Sequence, residues 1–314
     1  MTTALRPRAL ACVSALALAA VAAAGCGSSD KTTTKSASAS GAAQASCPNG
    51  QVRFGIEPYE DPAKLKPAYE TLSAALQRKL GCPVKLTIVQ DYPAEVLAMQ
   101  NGKLDVAEFG PLGFVFASQR AGAEPLASFA VAGGKLSTYT AGIWVPKSSA
   151  IKTIADLKGK SLALSEPGST SGDGLPRQAM KEAGLSKADV KIDYAGGHPQ
   201  SLLALTKGKV DAAEINTQQL ASAKAEGQFD ESKYRRIWQS EPIPNDPVTV
   251  NGKLPAAFKA MVKQALMNLQ PADVKKVGAF LAVDPPGPMV SVTKGTYQPL
   301  FDLAAQLGLT EKDV

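Results

Sequence analysis

The chain has 314 residues, 45% of them hydrophobic and 20% charged, with 34 Lys and Arg against 28 Asp and Glu. That length suits two domains with a substantial core, and the composition is that of a soluble globular protein, not of a disordered chain or a coiled coil. The formal charge of +6 comes without a basic run interleaved with aromatics, so nucleic-acid binding has no support, and a single histidine excludes a metal cluster built on several.

The first residues depart from this average. Arg6 and Arg8 precede an apolar run over 9–24 that ends in Ala23-Ala24-Gly25-Cys26. A positive start, a short apolar stretch and small residues at the cut read as a secretory signal peptide over 1–25, too short for a comfortable membrane span. Small-small-Gly-Cys also resembles the bacterial lipobox, with Ala23 where that pattern prefers Leu. It implies lipidation of Cys26, with residues 26–50 as a lipidated Cys and flexible Ser/Thr/Ala/Gly tether, and so an extracytoplasmic protein anchored at the cell envelope. With Cys12 in the leader and Cys26 lipidated, Cys47 and Cys82 remain. Each precedes an expected strand, so a disulfide across neighbouring parallel strands is expected in an oxidising compartment, against the alternative of two free thiols.

From Gln51 short apolar strands alternate with amphipathic helices, which predicts an α/β fold with parallel sheets. Strands are expected at 51–56, 84–89, 104–109, 126–131 and 139–145, with helices at 64–80, 93–101 and 111–121. After a helical turn at 154–157, a second set begins: strands at 161–164, 190–194 and 210–215, helices at 174–183 and 199–207. A strand at 248–251 leads to helices at 256–269, 272–281 and 298–307. NGKLDVAEF from Asn101 and KGKVDAAEI from Lys207 repeat one helix-to-strand unit, as expected of two similarly built lobes: 51–145 with the returning segment 248–314, and 146–247.

The loop Ser165–Pro176, SEPGSTSGDGLP, stands out between strand and helix. Ser169, Thr170 and Ser171 lie between Gly168 and Gly172, where hydroxyl donors, closely approaching glycine backbone and free helix N–H groups can converge on an anion. The plainer alternative is a polar loop whose Ser171 or Asp173 caps the helix.

In order and spacing, DYPAEVLAMQNGKLDVAEFGPLGFVFA at 91–117, TYTAGIWV at 138–145, IADLKGKSLAL at 154–164, EPGSTSG at 166–172, GGHPQSLLAL at 196–205, DAAEINTQQL at 211–220 and IPNDPV at 243–248 resemble the substrate-binding lipoproteins of ABC importers for phosphonate, phosphite and phosphate, the PhnD-like group. The resemblance spans 51–307. It implies a type II periplasmic-binding-protein fold, two α/β lobes joined by two crossing strands and closing on an oxyanion in the cleft. The expected partners are a small phosphorus oxyanion and an ABC permease, with no cofactor, no metal and a monomeric state. The resemblance places the anion-holding hydroxyls at Ser169, Thr170 and Ser171, pocket tyrosines at Tyr92 and Tyr139, a histidine at His198 and an aspartate at Asp246. Where aminophosphonate binders carry a glutamate for the ammonium, this chain has Gln218, an amide without the charge attraction for an amine.

Tyr59, at the end of the first strand, joins this set because open α/β sheets bind ligands at the carboxyl ends of strands. His198 starts a helix after two glycines, from where a ring N–H can reach an anion. Asp246 can accept from a P–O–H and so select a protonated anion; otherwise it closes a turn. Ser169, His198 and Asp246 are the residue types of a hydrolytic triad, but no G-x-S-x-G elbow is present. Gly159-Lys160-Ser161 ends like a P-loop, yet Ile154 stands where its glycine is required. The rival readings are a binding protein for another small anion, a lipid-anchored hydrolase and a sensor subunit.

Overall fold

The computed structural model describes residues 47–310, so the leader and Cys26 lie outside the described residues. In chain order, β1 (Val52–Ile56), α1 (Pro62–Leu80), β2 (Val84–Ile88), α2 (Tyr92–Gln100), β3 (Val106–Glu108), α3 (Pro111–Ala121) and β4 (Glu124–Ser128) are followed by β5 (Thr138–Tyr139) and β6 (Gly142–Pro146). Next come β7 (Ser161–Leu164), α4 (Leu175–Glu182), β8 (Lys191–Tyr194), α5 (His198–Thr206), β9 (Ala212–Glu214), α6 (Thr217–Ala225), β10 (Tyr234–Gln239) and β11 (Ile243–Pro244). The chain then runs through β12 (Pro247–Val250), α7 (Ala256–Met267), α8 (Pro271–Phe280), β13 (Val290–Ser291) and α9 (Gln298–Leu307).

Local chemistry sets the boundaries. In α1 the Asp61 side chain caps the Ala63 amide, Pro62 takes the first turn where no N–H is needed, and Gly81 ends the helix in the left-handed region. Leu65, Ala68, Leu72, Ala75 and Leu76 form its buried stripe.

Two sheets result. The first has the order β13-β4-β12-β3-β1-β2 and the second β10-β6-β9-β7-β8. In each, three parallel strands are extended by an antiparallel one: β12 beside β3, and β6 beside β9. The changeover expected after Val145 therefore differs from sheet membership. The stretch 139–145 breaks into β5 and β6, and β6 belongs to the second sheet because its edge pairs with β9 and β10. The two passes between sheets meet as an antiparallel pair, Tyr139 opposite Ile243 and Thr138 opposite Pro244.

The repeat noted in the sequence has a shared structural job. Asp105 Oδ2 accepts the Arg53 N–H at 2.8 Å, and Asp211 Oδ2 accepts the Ser161 N–H at 2.9 Å, so each Asp secures the entry of the neighbouring parallel strand. Pleat alternation splits the residues of each sheet between two cores. Leu162 and Leu164 pack with Met180 of α4, and Ala163 packs with Leu202 and Leu205 of α5. Each fully buried Leu or Phe stabilises the fold by about 1.5–3 kcal/mol.

Cys47 and Cys82 are joined as a disulfide, their Cα atoms 6.6 Å apart, just ahead of the paired strands β1 and β2. The bond closes a loop across a sequence separation of 35. Replacing both cysteines by serine should lower stability by about 3–4 kcal/mol on loop-entropy grounds, seen as a lower urea midpoint. An unmoved midpoint would show that the link does not constrain the unfolded chain.

Candidate ligand-binding site

A cavity with about 20 Å³ of space open to the centre of a water molecule lies among the strand ends of both sheets. All nine residues singled out from the sequence line it: Tyr59, Tyr92, Tyr139, Ser169, Thr170, Ser171, His198, Gln218 and Asp246. Glu57, Glu60, Gly110, Asn216, Gln219, Ser222 and Phe280 line it too and were not anticipated. Glu57 carried one usable signal, its place directly after β1, since the carboxyl ends of strands are where open α/β sheets bind ligands.

The hydroxyl loop is built by close packing. After β7, Ser165 N–H donates to Gly172 O at 3.1 Å, folding the loop on itself. A Cβ on Gly172 would stand 1.7 Å from Ser165 Oγ and 2.9 Å from His198 Cε1, so only hydrogen fits there. Thr170–Gly174 then makes one wide helical turn that runs into α4, with the Asp173 and Gly174 amides both donating to Ser169 O. Ser169 is the cap, accepting the Gly172 N–H at 3.2 Å, in place of Ser171 or Asp173. Asp173 is instead partnered by the Gly168 amide, Tyr194 Oη and Arg177.

Each of the three hydroxyl oxygens accepts a hydrogen bond from a nitrogen, one in the same turn and two from other elements. Gly172 N–H reaches Ser169; Leu112 N–H, at the start of α3, reaches Thr170 Oγ1 at 2.9 Å; Asn216 Nδ2 reaches Ser171 Oγ at 3.0 Å. A hydroxyl whose lone pair is taken in this way has its proton to give. The Leu112 bond also supplies a helix-start N–H of α3 with a partner from the other sheet's side of the cavity.

His198 acts through this loop. Its Nδ1 lies 2.9 Å from Glu214 Oε2 and its Nε2 lies 3.2 Å from Ser169 Oγ. Both ring nitrogens are engaged by protein, which differs from the expected direct reach of a ring N–H to an anion. Burial works to lower the pKa of the ring, but the charge and hydrogen bond of Glu214 outweigh it and the net shift is upward. The line Ser169–His198–Glu214 has the connectivity of a nucleophile, base and carboxylate, with Glu214 and not Asp246 in third place. Ser169 Oγ, however, is tied to the Gly172 amide as the cap of its own turn and no G-x-S-x-G elbow presents it, so the connectivity alone does not make it a nucleophile.

Tyr139, opposite Ile243 where the chain passes between the sheets, is hydrogen-bonded through its hydroxyl to Thr170. Tyr92 N–H points to Glu166 Oε2 at 3.4 Å. Tyr59 Oη is 2.8 Å from Tyr69 Oη, and Tyr69 donates to Glu108 Oε1, so the Tyr59 hydroxyl is committed to the core. Gln218 Nε2 donates to Asn245 Oδ1 at 3.1 Å and to Leu281 O at 3.2 Å, which leaves its carbonyl oxygen as the free polar atom.

Opposite the hydroxyls stand buried acids. Burial pushes Asp246 up to about 7, the charge of His198 opposing. Burial, then the charges of Asp246 and Glu95, hold Glu57 well above the usual carboxylate range; burial likewise dominates at Glu95 and Glu108. The folded protein therefore binds these protons more tightly than the unfolded chain. That stabilisation is complete below the unfolded values near pH 4 and is lost as pH rises through the folded values, about 7 for Asp246, with His198 adding to the loss. The urea midpoint of the ligand-free protein should fall from about pH 5 to about pH 8, and Asp246→Asn should flatten that fall by up to about 1.4 kcal/mol per pH unit. A midpoint that rises over this range would contradict the charge arrangement.

A profile of the family described as ABC transporter, phosphonate, periplasmic substrate-binding protein matches residues 54–285. The phosphonates-binding periplasmic protein of Escherichia coli (strain K12) is 29% identical over 222 residues, covering 69% of this chain and 65% of that protein. The phosphate-import protein PhnD of Mycolicibacterium smegmatis is 29% identical over 230 residues, covering 69% and 71%. The chain thus spans about two thirds of the length of these curated relatives. Among solved structures, PhnD1 from Prochlorococcus marinus in complex with methylphosphonate superposes with a TM-score of 0.73 at 19% identity, covering 83% of this chain and 99% of that one. A binding protein component of an ABC phosphonate transporter from Pseudomonas aeruginosa gives 0.71 at 24%, covering 81% and 85%. The shared fold is the α/β type II periplasmic-binding-protein fold, and the relatives are transport binding proteins rather than enzymes. This chain belongs to the family of periplasmic substrate-binding proteins of phosphonate ABC transporters.

Proposed function

We propose that the protein is an extracytoplasmic, monomeric solute-binding lipoprotein, tethered through Cys26, that captures a phosphorus oxyanion in this cavity and delivers it to an ABC permease. The observation that carries the reading is the triple hydroxyl loop, whose three oxygens line one cavity and each accept from a nitrogen donor, an arrangement that favours turning hydroxyl protons toward an anion. Lobes built on the two sheets hinge at the paired β5 and β11, and ligand bridging them favours the closed form, the shape recognised by the permease.

Two features narrow the ligand. The free space is small, about 20 Å³ for the centres of water molecules, which disfavours a bulky substituent and favours a compact head such as phosphate, phosphite or methylphosphonate. Asp246, beside the anion, takes a hydrogen bond from a P–O–H, which a sulfonate lacks at neutral pH. The ammonium of 2-aminoethylphosphonate meets at Gln218 a carbonyl oxygen and no charge, and should bind more weakly. Calorimetric titration with phosphate, phosphite, methylphosphonate, 2-aminoethylphosphonate and an alkanesulfonate ranks these; tightest binding of the sulfonate would refute the reading. Thr170→Val should weaken the preferred ligand by about 1–3 kcal/mol, and unchanged affinity would remove the loop from the site.

A further inference from the structure

Glu57 sits in the cavity wall without an assigned role, and it is an acid facing a site that receives an anion. Its surroundings dictate its chemical form. The Gly110 amide hydrogen-bonds the carboxyl, whose Oε1 is the oxygen nearest Gly110, while Oε2 is buried and has no hydrogen-bond partner. A Cβ on Gly110 would stand 2.7 Å from Oε1, so glycine is what lets the carboxyl seat against the start of α3. The ionisable groups acting on Glu57 are Asp246 beyond β11, Glu95 on α2 and Glu108 on β3, with Tyr59, Tyr92 and Tyr139 also coupled to it. All of these are acids. Among the described residues neither Glu57, Glu95, Glu108 nor Asp246 takes part in an ion pair with Lys or Arg.

An ionised carboxylate in this setting would be buried, unpaired and surrounded by like charge, an arrangement that costs several kcal/mol. The neutral acid avoids that cost and has one O–H to donate. We propose that Glu57 is a specificity-determining ligand contact that works as a hydrogen-bond donor, giving its carboxyl proton to an unprotonated oxygen of the bound phosphorus oxyanion. It complements Asp246, which takes a proton from the same ligand: the pocket reads one P–O–H and one bare P–O on a single tetrahedral head. This rests on the functional reading above.

Glutamine at position 57 tests the direction of the bond, because its carbonyl can keep the Gly110 amide while its NH₂ occupies the donor place. Calorimetric titration of wild type, Glu57→Gln and Glu57→Met with inorganic phosphate and methylphosphonate should show a loss of about threefold for Gln, the poorer donor, and about tenfold or more for Met. Wild type should lose affinity as pH rises through the ionisation of Glu57, and Glu57→Gln should lack that step. Infrared difference spectra add a readout that does not need the methionine variant to fold: a carboxylic C=O band that shifts on phosphate addition in wild type and is missing in Glu57→Gln. Loss with Gln equal to that with Met, affinity retained by Met, or a carboxylic band indifferent to ligand would each overturn the assignment. A wild type that binds neither ion overturns the functional reading, and the Glu57 assignment with it; binding by wild type with any of the former results overturns Glu57 alone.

Discussion

The site depends on one constraint: oxygen atoms around the cavity must have their lone pairs occupied by protein donors before a ligand arrives. Ser169, Thr170 and Ser171 meet it through an amide of their own turn, an amide opening α3 and the side chain of Asn216. A free hydroxyl rotates between giving and accepting; one whose lone pair is taken presents a proton. Donors fixed in advance in this way need no reorientation when a ligand arrives, which is where affinity in a small pocket is gained.

Gly172 makes the constraint achievable. A side chain at that position would collide with Ser165 and His198, and the wide turn that carries the three consecutive hydroxyls would have to shift. His198 then spans the two sides of this corner, with Glu214 on one ring nitrogen and Ser169 on the other.

The two halves of the repeated unit use the same building plan for opposite electrical ends. Glu108 and Glu214 both finish the third parallel strand of their sheets and both are buried. Glu214 meets a histidine, and its side of the cavity becomes rich in donors. Glu108 meets Tyr69 and stands near other acids, where burial and like charge raise its pKa and favour the protonated form.

What the sequence by itself determined was everything written in short spacing. The βα alternation, the apolar stripes of the helices, the glycine and proline stops, the hydroxyl loop and the repeated Asp-containing junction all lie within a few residues of their own causes. Only the tertiary structure decided which atoms those residues would meet. Leu112 lies 58 positions from Thr170, and Ser171 lies 45 from Asn216, distances over which no periodicity carries information. The same holds for β6 joining the second sheet, for Gln218 spending its amide protons on Asn245 and Leu281, and for the acids gathered around Glu57, because edge pairing, donor choice and electrostatic surroundings are set by neighbours in space.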